Sequence, residues 1–361
     1  MKIGILTFHR AYNYGAVLQA YALKKVIESF GAEVEIINYK CDQVDLDHHP
    51  RYSIKKMGLI RGGIGFYGRF AKSLVFERFS KRKFNLGKEY NRKNINDIED
   101  DFDVFIAGSD QIWSNKFSGF DTTFLLDFVR DPKKKYSYAA SFGFSSFPDA
   151  TKEIYQKYLQ TFQKLSVRED SAAEMLNKEC GLQSFVHLDP TLIMGANRWK
   201  SFCKPPKCER KKYILIYTIQ PPVNLISYAK RLAQETGLEL LYLSNSYRQH
   251  QEIKHIRLVS PEEFVGWFNG AEYVLTNSFH GTAFSLIFNK KMIVEIETQH
   301  SLNTRSRDLL RLCNLESRIL PKDYEAYKLD DIQWGSVNQK ISSFQNKALS
   351  YLKEICQAQG E

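Results

Sequence analysis

The chain has 361 residues, of which 43% are hydrophobic and 25% charged, with 25 Phe and 20 Tyr. That is enough apolar surface for two domains of ordinary size, and it excludes a disordered chain. The net charge of +10 is local: 13 Lys/Arg lie between Arg51 and Lys93 beside two acids, Glu77 and Glu89, so the rest of the chain is close to neutral.

Lys2 to Thr7 reads as a buried strand. Its apolar core is too short for a secretory signal, and no later run is long enough to span a membrane, so a cytoplasmic location is expected. The loop His9-Arg10-Ala11-Tyr12-Asn13-Tyr14-Gly15 follows, and Ala16 to Phe30 has apolar residues at helical spacing (Val17, Ala20, Leu23, Val26, Ile27). Gly31 stops that helix, and Val34 to Ile37 is a second strand. This βαβ opening predicts a parallel, doubly wound sheet. The first loop lacks the GxGxxG spacing of a dinucleotide site, which disfavours NAD or FAD.

Arg51 to Lys93 is the basic segment. Within Phe66 to Arg82, the spacing puts Phe66, Phe70, Leu74 and Phe79 on one helical face, ringed by Arg69, Lys72, Arg78, Lys81 and Arg82. Such a helix either packs on its own domain with a solvated basic rim or meets anionic lipid head groups through about 66–83. Nucleic acid is not expected as a partner, because no recognition module accompanies the charge.

Asp103 to Ala107 is a further strand, ending in Gly108-Ser109-Asp110-Gln111. Asp110 at a strand's carboxyl end suits a base or an acceptor of a substrate hydroxyl, or else a turn cap. Lys135 to Ser141 and Lys164 to Arg168 are strands, the latter opening into a helix through Leu176. Another strand ends within Val186-His187-Leu188-Asp189-Pro190-Thr191. Ser201 to Lys212, with a Pro pair and many charges, reads as a linker. The six cysteines are scattered, and the spacing of Cys203 and Cys208 matches no zinc or redox motif, so no metal site is expected.

Lys212 to Ile219, Leu225 to Thr236 and Leu238 to Leu243 repeat the strand–helix–strand pattern, which makes a second domain. Ser260-Pro261-Glu262-Glu263 starts a helix running to Phe268. Then comes Tyr273 to Phe288, a strand Tyr273-Val274-Leu275, a loop Thr276 to Gly281 and an apolar helix from Thr282. His280 in that loop lies beside backbone N–H groups at a helix's positive end, a seat for an anion, although a cap or core histidine is also compatible. Met292 to Ile296 is a strand, Asn303 to Cys313 a helix bearing Arg305 and Arg307, and Gln333 to Cys356 a long terminal helix.

Five segments taken together, KIGILTFHRAYNYGAVLQAYAL, DVFIAGSDQIWS, LSVREDSAAEML, HLDPTLI and TNSFHGTAFSLIFNK, resemble in order the polysaccharide pyruvyl transferases, from Lys2 to about Leu320. The resemblance implies an α/β, GT-B-like fold: two Rossmann-like domains with parallel sheets facing a central cleft. It places an acceptor-side domain at 1–203 with a basic helical insertion near 51–93, a donor-side domain at 209–335, and a terminal helix at 336–361 packing back on the first domain.

The resemblance also implies transfer of the enolpyruvyl unit of phosphoenolpyruvate to sugar hydroxyls of a cell-surface polysaccharide precursor, with no cofactor and no metal. A lipid-linked acceptor at the inner face of the plasma membrane is expected. The alternatives are a GT-B glycosyltransferase using a nucleotide sugar, or a non-catalytic polysaccharide-assembly protein. Family members with an Arg-Leu-His triplet use the histidine as general acid and the arginine for the donor. Here the triplet is Ser278, Phe279 and His280, so the histidine is kept and the arginine is not. His280 and Asp110 are then the catalytic candidates, as general acid and as receiver of the acceptor proton. Arg168, Asn277, Ser278, Phe279, Gly281, Thr282, Arg305 and Arg307 are donor-binding candidates. His9, Asn13, Tyr14, Gly15 and Ser109 are acceptor-binding candidates.

Overall fold

The computed structural model describes residues 1–48, 59–206, 212–244, 253–296, 304–327 and 329–358. Cys208, Asn303, the first residues of the basic segment and residues 207–211 of the linker lie outside them. The chain forms two compact units, Met1–Met194 together with Phe344–Glu361, and Gly195–Ser343.

The first unit carries a six-stranded sheet in the order β2-β1-β3-β4-β5-β6. The strands are β1 (Lys2–Leu6), β2 (Glu33–Ile36), β3 (Val104–Asp110), β4 (Lys135–Ala140), β5 (Ser166–Val167) and β6 (Phe185–Val186). All pairings are parallel. The central strands β1, β3 and β4 are apolar or small throughout, as burial on both faces requires. Helix α1 (Tyr14–Glu28) starts two residues before the expected Ala16, because Asn13 caps it. Strand β3 runs past the expected end at Ala107 and takes in Gly108, Ser109 and Asp110. It does so because Gly108 lets β4 approach: a Cβ there would lie 2.5 Å from the Tyr138 carbonyl oxygen.

Helix α2 (Asp42–His48) and helix α3 (Leu59–Lys83) belong to the same unit. Of the face predicted from Phe66, Phe70, Leu74 and Phe79, only Phe79 is buried. Phe76 and Phe79 are buried, with Phe76 against Tyr14 (ring centroids 5.1 Å) and Phe79 against Phe84 (5.7 Å). Tyr67, Phe70 and Leu74 remain 74%, 45% and 50% exposed. The inward stripe follows the aromatic partners offered by α1, so the helix turns Phe70 and Leu74 outward. Helices α4 (Asp149–Leu159) and α5 (Asp170–Cys180) also belong to the unit, with Gly181 at φ 68° closing α5.

The second unit carries a five-stranded sheet, order β11-β10-β7-β8-β9, again wholly parallel. Its strands are β7 (Tyr213–Tyr217), β8 (Glu239–Leu243), β9 (Lys254–Ile256), β10 (Tyr273–Thr276) and β11 (Lys291–Val294). Helix α6 (Leu225–Thr236) ends at Gly237, φ 67°. Helix α7 (Pro261–Gly270) opens with a full capping box between Ser260 and Glu263. Helices α8 (Phe279–Ile287) and α9 (Thr304–Leu312) follow β10 and β11. The short helix Ala196–Phe202 is part of this unit, through Trp199 edge-on to Phe284 at 5.1 Å. The last helix, α10 (Trp334–Gln357), begins in the second unit, and its residues from Phe344 belong to the first. There Gln345 Nε2 donates to the Leu192 carbonyl at 2.7 Å, and Tyr351 OH donates to the Ser137 carbonyl at 2.8 Å. Among the described residues no helix is long and apolar enough to cross a membrane.

Candidate active site

In the second sheet β8 and β9 lie on one side of β7, and β10 and β11 on the other. The strand order therefore reverses between β7 and β10, and open α/β sheets bind ligands at the carboxyl ends of such a pair. Asn277 joins the two loops at this point. Its Oδ1 accepts from Ile219 N at 2.9 Å, and its Nδ2 donates to the Gln220 carbonyl at 3.0 Å. Thr276 Oγ1 donates to the Tyr217 carbonyl at 2.7 Å and accepts from Ser278 N at 3.0 Å. Asn277 and Ser278, expected to touch the donor directly, thus use these groups to build the loop.

Helix α8 begins at Phe279, earlier than the predicted Thr282. Ser278 is its cap, accepting from Gly281 N at 3.4 Å. His280 is consequently in the first helical turn, 8% exposed, rather than in a loop. Gly281 is required by proximity: a Cβ would lie 2.2 Å from Thr276 Oγ1. Thr282 is buried and donates its hydroxyl to the Ser278 carbonyl at 3.1 Å.

The two candidate arginines of α9, Arg305 and Arg307, separate clearly. Arg305 lies over the Phe279 ring, with its guanidinium carbon 5.4 Å from the centroid. The Phe279 ring is in turn edge-on to His280 at 5.1 Å. Arg307 points to solvent. One residue that sequence reasoning missed is Glu295, just past β11. Its carboxylate accepts from Val223 N (3.0 Å), Asn224 N (2.6 Å) and Leu225 N (2.9 Å), so it fills the start of α6 from inside the protein. An acid directly after an apolar strand was the available signal.

The first sheet has its own reversal, at β1 between β2 and β3. Thr7 Oγ1 donates to the Ser109 carbonyl at 3.0 Å across it. Arg168 Nη2 donates to Ser109 Oγ at 2.6 Å and pairs with Asp189 Oδ2 at 2.9 Å, while its Nη1 stands 4.0 Å from Asp110 Oδ1. A buried guanidinium needs such acids nearby. Arg168, expected at the donor, is therefore grouped with Asp110 and Asp189 in the first unit. Asp110 itself sits at φ 74°, a strained conformation for a residue with a side chain.

Four of the acceptor-side candidates spend their side chains within the fold. His9 is buried, with Nδ1 3.2 Å from the Thr7 carbonyl and Nε2 3.3 Å from Asn38 Oδ1, and burial lowers its pKa to about 4. Asn13 Oδ1 caps α1 through Gly15 N at 2.8 Å and Ala16 N at 3.4 Å. Tyr14 packs on Phe76, and Ser109 is wholly buried. Gly15 is buried in the first turn of α1. Buried polar groups must find partners, and these find them locally. Among the described residues no grouping of three His, Cys, Asp or Glu could hold a metal ion.

Known structures define the class first. A protein described as a UDP-N-acetylglucosamine 2-epimerase from Listeria monocytogenes matches at TM-score 0.52 and 10% identity, over 98% of this chain and 90% of that one. The S. aureus MnaA–UDP structure matches at 0.49 and 13% identity (98% and 90% covered), and the Streptomyces nogalater glycosyltransferase SnogD at 0.43 and 11% (98% and 99%). Together with the two parallel sheets, the first of these marks a GT-B-like α/β fold with two Rossmann-like units. A search of curated proteins returns no match. The family model "Polysaccharide pyruvyl transferase" matches residues 13–295. The chain belongs to the polysaccharide pyruvyl transferase family and is a transferase.

Proposed function

We propose that this transferase moves the enolpyruvyl group of phosphoenolpyruvate onto sugar hydroxyls as a pyruvate ketal. The observation that carries the proposal is His280 in the first turn of α8, at the strand-order reversal of the second sheet, with Arg305 over the adjoining Phe279 ring. Phosphoenolpyruvate bears a phosphate and a carboxylate, and a guanidinium beside a helix N-terminus suits either group. His280 protonates the methylene carbon, and the C2 centre gains oxocarbenium character. One sugar hydroxyl adds to C2, a second closes the ketal, and the C2–O bond to phosphate breaks. Of the two hydroxyl protons, one balances the proton given to the methyl group and the other leaves with phosphate. Asp110, at its strained strand end, is the candidate to receive the acceptor proton.

Two helix starts of the second unit are already occupied. The start of α6 is filled by Glu295, and that of α7 by its own capping box. The acceptor in this reading is a lipid-linked polysaccharide precursor, met at an anionic membrane face through the exposed Tyr67, Phe70 and Leu74 and the cations of α3. The test is release of inorganic phosphate from phosphoenolpyruvate. Release that depends on a sugar acceptor supports the proposal. Turnover of a nucleotide sugar without it replaces the proposal with glycosyl transfer.

A further inference from the structure

The first unit gathers cations at one place, beside acids that already have partners of their own. His48 ends α2, and Arg69 and Lys72 lie on α3. Arg69 Nη1 donates to the Asp47 carbonyl at 3.2 Å, which holds the guanidinium at the end of α2. The Lys72 ammonium lies over Phe76, 5.6 Å from the ring centroid. Tyr12 links the group, with its ring 6.1 Å from that of His48 and 6.0 Å from that of Phe76. Tyr12 belongs to the loop after β1, at the strand-order reversal of this sheet.

The carboxylates nearby have other partners. Asp45 pairs with Arg10 Nε at 3.3 Å, and Glu89 pairs with Arg10 Nη1 at 3.0 Å. Glu77 accepts from Tyr12 OH at 2.9 Å, and Asp47 accepts from Gln43 Nε2 at 3.3 Å. Among the described residues Lys72 has no carboxylate partner, and the charge that acts on it is Arg69. Burial first, and then Arg69, lowers the Lys72 ammonium to about 8. Burial first, and then Lys72, lowers the His48 imidazole to about 4, against the opposing pull of Asp47 and Asp45. Two partly desolvated cations beside a neutral imidazole are mutually unfavourable until an anion joins them.

We propose that Arg69, Lys72 and His48 form a phosphate site that seats the phosphate or diphosphate of the acceptor beside the loop after β1. The naming of the ligand as the acceptor rests on the pyruvyl-transfer reading, whereas the site itself does not. A bound dianion reverses both pKa shifts, so binding takes up protons.

The experiment titrates inorganic pyrophosphate into the full chain by calorimetry near pH 8, in two buffers of different ionisation enthalpy. Binding with proton uptake is expected, weakened about tenfold or more in Lys72→Gln and in Arg69→Gln, because each removes a charge-assisted contact. Melting temperatures of the variants establish that they are folded. Equal binding in wild type and both folded variants overturns the site. A kinetic arm compares a sugar diphosphate with the methyl glycoside of the same sugar, using phosphoenolpyruvate as donor. The diphosphate is preferred in kcat/KM by the wild type, and the preference shrinks in both variants. No preference in an enzyme that turns over phosphoenolpyruvate overturns the acceptor assignment and leaves pyruvyl transfer standing. Loss of pyrophosphate binding in the variants, with no phosphoenolpyruvate turnover in any protein, upholds the site and overturns pyruvyl transfer. Vesicles containing phosphatidylglycerol separate the two phosphate sources. Vesicle binding that depends on Lys72, with no diphosphate preference, reassigns the site to lipid and overturns the proposal.

Discussion

The guanidinium of Arg305 rests on the ring of Phe279, 5.4 Å from its centroid, and Phe279 directly precedes His280. This contact places a permanent cation from α9 beside the first turn of α8. It supplies positive charge near a position where Ser278 stands in place of the arginine of the Arg-Leu-His triplet. Arg305→Ala is expected to raise the KM for phosphoenolpyruvate about tenfold or more, since contacts to charged groups are worth roughly 1.5–3 kcal/mol. Arg307→Ala, on the solvent side, is expected to leave it within about twofold. Steady-state phosphate release measures both.

Glu295 holds three backbone N–H groups at the start of α6. Glu295→Ala leaves those donors without their carboxylate and is expected to cost about 2–3 kcal/mol, read from urea denaturation. The loss should be lower for Glu295→Gln, which keeps an acceptor oxygen without the charge.

Gly281→Ala is a steric test of the loop. The added Cβ meets Thr276 Oγ1 at 2.2 Å, and Thr276 also holds Ser278 N and the Tyr217 carbonyl. A stability loss of about 1–3 kcal/mol is expected, together with weakened turnover, because His280 is carried by the displaced turn. The double variant Gly281→Ala with Thr276→Ser keeps the hydroxyl that makes the clash, so little of the stability should return.

Stability should fall with acid through His9. Burial lowers its folded pKa to about 4, from 6.5. Above 6.5 the neutral ring is favoured in both states, so the full stability is present. Between 6.5 and 4 the unfolded chain binds a proton that the folded chain does not, and about 3 kcal/mol is lost. Denaturation at pH 7 and pH 4.5 measures the difference, which is expected to shrink in His9→Gln.

The exposed face of α3 makes a separate prediction. Flotation with vesicles containing anionic lipid should recover the wild-type chain, and replacing Tyr67, Phe70 and Leu74 by Ser should release it. Replacing Arg78 and Lys81 by Gln should weaken binding more at low salt than at high salt, since the contribution of each cation is screened. Unchanged flotation in all variants would remove α3 from the membrane.

Much of the fold is legible in the residues alone. Leu225–Thr236 is read to its boundaries because Gly237 ends the periodicity. The Ser260-Pro261-Glu262-Glu263 helix start is found as a complete capping box. What escapes the sequence depends on neighbours distant along the chain. Asp110 belongs to β3 only because Gly108 admits the backbone of Tyr138. Arg168 reads as a donor ligand until Asp189 and Asp110 are seen beside it. The inward stripe of α3 is set by Tyr14 and Phe84, which no periodicity reveals. At the site itself, the strand before His280 and the helix after it are both read correctly in kind. The helix start is misplaced because Ser278 caps through Gly281 N, without the acidic third residue that usually signals a cap.

The central claim is that His280 protonates phosphoenolpyruvate. Its most direct measurement is phosphate release from phosphoenolpyruvate in the presence of a sugar acceptor, comparing wild type with His280→Ala at matched melting temperature. A fall in kcat of about 10²–10⁴-fold, with the KM for phosphoenolpyruvate little changed, is the predicted result. A folded His280→Ala enzyme that releases phosphate at the wild-type rate would contradict it.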